Sequence, residues 1–354
     1  MTLIDSPSAI RKGEAFDTQA VEAFLKDTIP DLNGSLTVQQ YPSGYSNLTY
    51  LIEVGEQKLV LRRPPFGTKA KTAHDMGREY RILSALHQSF PYCPKPLVYS
   101  DDESIIGSPF YVMNRIEGII LRKDLPQELT LSPEQMKILC ERMVEVLYEL
   151  HCVDYESIGL GEMGKPQGYI QRQVEGWSKR YRAARTPDAP DYETVMAWLR
   201  DNQPEDSQDP TLIHNDYKLD NIVLDPREPT RIIGVLDWEM ATIGDPLMDL
   251  GATLAYWVNR DDSEEIQLIR FQPSHLEGAF SREQILSTYL ELSGKSVEDV
   301  TFYYCSNLFR LATIAQQIYY RYYHGQTSDK RFALLVGAVQ IIERGILKLL
   351  DNRA

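Results

Sequence analysis

One histidine, two aspartates and an asparagine stand out by their spacing. In His214-Asn215-Asp216-Tyr217-Lys218-Leu219-Asp220-Asn221, Asp216 comes two residues after His214 and Asn221 seven after it. Asp237, in Leu236-Asp237-Trp238-Glu239, lies sixteen residues beyond Asn221. A carboxylate such as Asp216 can accept the proton of an attacking hydroxyl and aim its oxygen. An amide oxygen and a second carboxylate are hard donors of the kind Mg²⁺ takes, with phosphate oxygens and water completing the octahedron. Asp216 is therefore the candidate base, and Asn221 and Asp237 are the candidate magnesium ligands. Such parts suit phosphoryl transfer, which rests on positioning and charge neutralisation more than on covalent chemistry.

These side chains need rigid supports. Asn221 opens the apolar run Asn221 to Leu224, and Asp237 follows the run Ile232 to Leu236. Both runs read as short strands that hold the two ligands in one cleft. Earlier, Leu36 to Tyr41, Leu48 to Val54 and Lys58 to Arg62 read as strands separated by turn residues. A short helix precedes them, with Val21, Phe24, Leu25 and Ile29 on one stripe. A helix from about Ala73 to His87 follows, then two strand-like runs ending at Phe110-Tyr111-Val112-Met113. The remainder is mainly helical: Ser132 to His151, Gln167 to Ala184, Asp191 to Asn202, Pro246 to Val258, Ser281 to Leu292, Val297 to Tyr323 and Ser328 to Leu350.

With 354 residues the chain has room for two domains, or for two lobes around one cleft. Its net charge of -14 disfavours a nucleic-acid binder, which needs a basic face. An acidic surface serves solubility or attracts a cationic substrate. Cys93, Cys140, Cys152 and Cys305 show neither a C-x-x-C pair nor zinc spacing, as expected of reduced thiols in a cytoplasmic protein. The first residues lack the apolar core of a signal peptide, and no run is long and apolar enough to span a membrane.

Taken together, the chain resembles the aminoglycoside-phosphotransferase superfamily, which shares the protein-kinase-like fold with choline kinases and homoserine kinases. Within it, the chain is similar to the kinase-like domain of some acyl-CoA dehydrogenase fusions. The resemblance runs from Tyr41 to the C-terminal helices. Besides the two motifs, it is carried by Gly44-Tyr45-Ser46-Asn47-Leu48-Thr49-Tyr50, Val60-Leu61-Arg62-Arg63-Pro64-Pro65, Arg78-Glu79-Tyr80, Phe110-Tyr111-Val112-Met113 and Gly244-Asp245-Pro246-Leu247-Met248-Asp249-Leu250. It implies an α+β, two-lobed protein-kinase-like fold. A small antiparallel-sheet lobe (1–113) would bind nucleotide, residues 114–118 would form a hinge, and a larger, mainly helical lobe (119–354) would carry catalysis and acceptor binding. It further implies ATP, with GTP as the alternative donor, Mg²⁺, and a small hydroxylated acceptor.

The resemblance also distributes roles. His214 would be structural, and Asp249 would accept hydrogen bonds from the catalytic loop. Asp245 fits an N-cap of the next helix. Lys218 either reaches the γ-phosphate or is a solvated loop lysine. Where a kinase strand offers lysine to the phosphates, this chain has Arg62, which can fork across two oxygens. Glu79 is its natural partner, and Arg63 is the alternative cation. The turn holding Ser43, Gly44, Ser46 and Asn47 would cover the phosphates, with one glycine only. Met113, Asn114 and Ile116 would meet adenine at the hinge.

Three rival readings are weaker. Gly159-Leu160-Gly161-Glu162-Met163-Gly164 matches G-x-G-x-x-G but lacks the flanking strand and helix of a dinucleotide site, and reads as a loop. A protein kinase is disfavoured because no D-F-G or A-P-E occurs and only eight residues separate Asp237 from Asp245. A catalytically silent pseudokinase is disfavoured because base and metal ligands are all present. Acceptor candidates are hydroxyacyl-CoAs, aminoglycosides, choline-like alcohols and sugars. The helices between Gln167 and Asn202, with the aromatic-rich helix Phe302 to Tyr323, would build the acceptor pocket.

Overall fold

The alternating segments near the start of the chain pair into one antiparallel sheet. A computed structural model describes residues 3–42, 47–65, 75–327 and 329–352. In it β1 (Leu36–Gln40), β2 (Leu48–Val54), β3 (Gln57–Arg63), β4 (Pro96–Ser100) and β5 (Phe110–Asn114) lie in the order β1-β2-β3-β5-β4. Val54 pairs with Gln57, so a two-residue turn joins β2 to β3. Its Gly55 has φ +61° and a Cβ there would sit 2.5 Å from the Asn33 carbonyl, so the turn requires glycine.

The sheet buries both faces. Strand alternation sends Leu59 and Leu61 into a core with Val21 and Leu25 of α1 (Thr18–Thr28). It sends Val60, with Tyr111 and Met113 of β5, to the opposite core under α2 (Met76–Leu86). Helix α2 is capped by Asp75, whose side chain accepts from the Arg78 N–H. The residues buried along α2 are Met76, Glu79, Ile82, Leu83 and Leu86, so a glutamate sits on the apolar stripe. A single turn of helix, α3 (Glu103–Ile106), connects β4 to β5.

After Asn114 the chain turns helical. The helices are α4 (Pro133–His151), α5 (Tyr169–Ala184), α6 (Glu193–Asp201), α7 (Pro246–Tyr256), α8 (Glu264–Leu268), α9 (Arg282–Ser293), α10 (Thr301–Tyr323) and α11 (Leu335–Asp351). Two small sheets sit among them: β6 (Ile119–Ile120), β8 (Ile222–Leu224) and β9 (Ile232–Val235) in one, β7 (Thr211–Ile213) and β10 (Thr242–Gly244) in the other. The α+β architecture expected from the sequence is the one observed.

Element ends differ in ways that local chemistry explains. The helix expected from Ser328 is first a 3₁₀ turn (Lys330–Leu334), started by Asp329 accepting from the Arg331 N–H. The helix expected to reach Val258 stops at Tyr256, because Trp257 is extended at φ -89°, ψ 108°. Asn221 closes a 3₁₀ turn (Leu219–Asn221) and is not itself in a strand. The glycine triplet at 159–164 is a loop with one 3₁₀ turn, as expected. Elements α3, α8, β6, β7 and β10 went unforeseen, being too short to show a period.

Helices α7 and α10 pack closely at Gly251, where a Cβ would lie 2.6 Å from the Tyr303 carbonyl and 2.8 Å from Asn307 Nδ2. Gly251→Ala is therefore expected to destabilise the protein by about 1–3 kcal/mol through overpacking. Thermal unfolding checks this, and an unchanged midpoint would contradict it.

Candidate active site

Strand β7 delivers the loop from His214 to Asn221, and His214 locks it. The His214 ring is fully buried, 4.8 Å from the Trp238 ring. Its Nδ1 accepts from the Asp216 N–H at 3.2 Å, and its Nε2 lies 3.0 Å from the Leu236 carbonyl. That pattern requires the proton on Nε2 and a neutral ring. Burial holds the imidazole below its ordinary pKa, against the pull of Asp249 and Asp216. His214 thus ties the candidate base, Asp216, to the residue just before Asp237.

Asp249, on α7, is the loop's anchor. Its Oδ2 accepts from the His214 N–H at 2.7 Å and its Oδ1 from the Asn215 N–H at 2.6 Å. His151, at the end of α4, places Nε2 3.1 Å from the same carboxylate, and its Nδ1 lies 2.7 Å from the Tyr289 hydroxyl. Burial pushes the Asp249 carboxyl up, but the His151 hydrogen bond and the loop donors outweigh it and hold it below the ordinary range. His151 and Tyr289 were not anticipated. They lie 98 residues before Asp249 and 138 after His151, and no local spacing connects them.

The candidate ligands are joined through the backbone: the Leu236 N–H donates to the Asn221 carbonyl at 2.8 Å. Asn221 Nδ2 donates to the Asp216 carbonyl and to its Oδ2, both at 2.8 Å. Its Oδ1 is therefore the atom able to bind a cation. Asp237 adopts φ +69°, a left-handed conformation that Asp and Asn tolerate best after Gly. Its side chain keeps 32% of its area open. An amide oxygen and a carboxylate, with no sulfur or imidazole, match the donor preference of Mg²⁺.

Strand alternation sends Arg62 and Arg63 to opposite faces of the sheet. Arg62 points to the face covered by α2, where Nη1 donates to Glu79 Oε1 and Nη2 to Asp237 Oδ1, both at 2.8 Å. Arg63 points to the other face and donates to the Ile106 carbonyl at 2.8 Å. Burial works against the Arg62 charge, but Glu79 and Asp237 outweigh it, so its pKa stands well above ordinary. Burial pushes the Glu79 carboxyl up, opposed by Arg62.

Lys218 is no solvated loop lysine. Its Nζ lies 3.0 Å from Asp216 Oδ2 and 4.6 Å from the centre of the Tyr256 ring. Burial alone would raise the Asp216 pKa, but Lys218 and Arg310 bring it below the ordinary carboxylate range. Asp245 caps α7, accepting from the Leu247 N–H at 2.7 Å.

Ser43, Gly44 and Ser46 lie outside the described residues. Asn47 donates to Glu239 Oε2 at 2.6 Å, so the end of that turn reaches the segment after Asp237. Arg78 crosses the cleft too, donating to the carbonyls of Ala241 at 2.6 Å and of Met163 and Glu239 at 3.3 Å. Both Arg78 and Glu239 belong to quoted motifs, yet the sequence assigned them no role. Met113 is buried in β5, the Asn114 and Arg115 N–H groups donate to Lys95 and Lys58 carbonyls, and Ile116 packs on Gly234. Much of the helical region expected to form the acceptor pocket is core: Tyr181, Tyr192 and Phe309 pack with ring centres 4.7–5.7 Å apart. Tyr169 of α5 does reach the catalytic loop, its hydroxyl 3.3 Å from Asn215 Oδ1.

Residues 37–279 match the model of a family described as a phosphotransferase enzyme family. The chain is 37% identical over 344 residues to acyl-CoA dehydrogenase family member 11 of Rattus norvegicus, which covers 94% of this chain and 43% of that protein. It thus spans under half the length of that relative. Among solved structures, it is similar to a candidate aminoglycoside phosphotransferase from Ralstonia eutropha, with TM-score 0.78, 32% identity, and coverage of 94% and 98% of the two chains. A choline kinase from Cryptosporidium parvum shares the fold, with TM-score 0.59, 14% identity and coverage of 94% and 98%.

Proposed function

Because this chain belongs to the phosphotransferase enzyme family, we infer that it is a small-molecule kinase moving the γ-phosphate of ATP, or of GTP as the alternative donor, to a hydroxyl. The observation that carries this reading is the convergence of opposite charges in one cleft: Arg62 bridges Glu79 and Asp237, while Asn221 and Lys218 both hold Asp216.

Asp216, kept anionic, orients the acceptor hydroxyl; as its oxygen bonds to the γ-phosphorus, the bond from phosphorus to the β,γ-bridging oxygen breaks, the nucleoside diphosphate leaves, and Asp216 takes the hydroxyl proton. A carboxylate of low pKa is a weak base toward a free alcohol, so its larger contribution is orientation, with proton acceptance late in the step. Lys218, beside it, offers positive charge to the transferring phosphoryl oxygens. Arg62 can fork across two phosphate oxygens while Glu79 fixes its direction. Asn221 Oδ1 and the Asp237 carboxylate would hold Mg²⁺, which when bound neutralises charge on the phosphates. The Asn114 carbonyl and the Ile116 peptide are the hinge groups offered to the base.

The chain is proposed to act in the cytoplasm. For the acceptor, the naming of the longer relatives as acyl-CoA dehydrogenases favours a hydroxyacyl-CoA, with aminoglycosides, choline-like alcohols and sugars as rivals. A protein-kinase reading is opposed by the short interval from Asp237 to Asp245, which is taken up by a 3₁₀ turn (Trp238–Met240) and by β10, paired with β7. A pseudokinase would bind nucleotide without turnover. The test is transfer of labelled γ-phosphate from magnesium–ATP across that panel, with Asp216→Asn as the blank. A product absent from the blank supports the reading. No transfer to any member, alongside intact magnesium–ATP binding, counts for the pseudokinase.

The two arginines should separate cleanly. Arg62→Met is expected to weaken magnesium–ADP binding by roughly 100-fold, since a charge-assisted fork is lost and Glu79 is left buried without its partner. Arg62→Lys should recover part of it. Arg63→Met should lower thermal stability with affinity changed less than about threefold. Calorimetric titration of all three checks this; equal losses at 62 and 63 would contradict the assignment.

A further inference from the structure

Asn215, immediately before the base, is held on every side. It adopts φ +65°, a left-handed conformation that asparagine tolerates better than most residues. Its N–H is taken by Asp249 at 2.6 Å, its Oδ1 by the Tyr169 hydroxyl at 3.3 Å, and its Nδ2 donates to the Met240 carbonyl at 3.1 Å. The remaining group is the Asn215 carbonyl, and Arg310 grips it: Nη2 donates at 2.5 Å from α10, 95 residues away in sequence. The other end of that same peptide, the Asp216 N–H, donates to His214. The peptide linking Asn215 to Asp216 is therefore clamped at both its oxygen and its hydrogen. This fixes ψ of Asn215 and φ of Asp216, the torsions that aim the base.

Arg310 is also an unusual choice for such a clamp. It is 7% exposed, and no carboxylate pairs with it among the described residues. Its other neighbours are the Asn307 amide oxygen at 3.5 Å, the Met240 sulfur at 3.2 Å and the Trp177 ring, 5.6 Å to its centre. A buried cation with no ion pair is costly; here it is balanced only at longer range by the Asp216 carboxylate, and one carbonyl bond could be made by a neutral donor. We propose that Arg310 is a positioning residue for phosphoryl transfer: its guanidinium holds the Asn215–Asp216 peptide in its left-handed conformation and presents positive charge behind the base. This rests on the reading of Asp216 as the base.

The test needs no knowledge of the acceptor, because water can take its place. Magnesium–ATP hydrolysis is measured for wild type, Arg310→Met, Arg310→Lys and Asp216→Asn. Backbone hydrogen exchange at residues 212–219 is followed in parallel. In Arg310→Met, kcat is expected to fall by about 100-fold, as misplacement of a reacting group does, with KM for magnesium–ATP within about threefold. The Asn215 and Asp216 amides should exchange at least about tenfold faster, while strand β3 stays protected. Lysine should recover at least about tenfold of kcat. Unchanged exchange at Asn215 and Asp216 overturns the clamp, and so does a lysine variant as impaired as the methionine one. If wild type hydrolyses no faster than Asp216→Asn, the base assignment has failed instead, and the exchange rates still decide the clamp.

Discussion

Asp216→Asn is expected to abolish transfer to any acceptor while nucleotide binding persists. The substitution keeps size and shape but removes the atom that accepts the hydroxyl proton. General-base groups typically contribute 10²–10⁴-fold, so a loss of roughly that size is expected in kcat. The amide also places its NH₂ among donors, since Lys218 Nζ and Asn221 Nδ2 both point at this carboxylate. Both reach Oδ2, so the amide oxygen can keep them, and the contact that loosens is Lys218 Nζ to Oδ1 at 3.2 Å. Arg62 and Asp237 do not touch Asp216 through any hydrogen bond described, so magnesium–ADP affinity should stay within about threefold. Single-turnover transfer and calorimetric titration of the same preparation measure both quantities. Turnover retained in the variant would sink the base assignment.

The second large effect is expected at Asp237. Asp237→Ala removes a candidate ligand and also one of the two carboxylates that orient Arg62. Affinity for ATP measured with magnesium should fall by roughly 100-fold, the scale seen when groups that merely support a metal ligand are removed. Affinity measured in a chelator should change far less. The residue sits at φ +69°, where alanine is more strained than aspartate. Asp237→Asn keeps that tolerance and serves as the control for backbone effects. If both variants respond to magnesium as wild type does, Asp237 is no ligand.

These two residues illustrate what was legible in the chain. His214, Asp216, Asn221 and Asp237 are close in sequence, and turn and strand geometry alone brings residues so spaced to one place. Asp249 could be picked out because its run, Gly244 to Leu250, carries the family resemblance. Asp245 was legible as a cap, since a short polar side chain before Pro246 suits that position. The strands around Arg62 were legible as short β-type runs bounded by turn residues. The partners Arg78 and Glu239 lay within recognised motifs, but their bonds cross the cleft, and nothing local announces them.

Sequence alone therefore determined the α+β class, the succession of the first five strands along the chain and the loop that carries the candidate base. Each of these depends on short-range periodicity or on spacing within a few residues. Which of two adjacent arginines faces the cleft was left to tertiary structure. Alternation guarantees that they point opposite ways, yet only the packing of α2 against one face says which way is inward. The same holds for His151 and Arg310, each nearly one hundred residues from the atoms it holds. Their roles arise where helices α4 and α10 come to rest against the catalytic loop, and that is decided by the burial of whole helix faces.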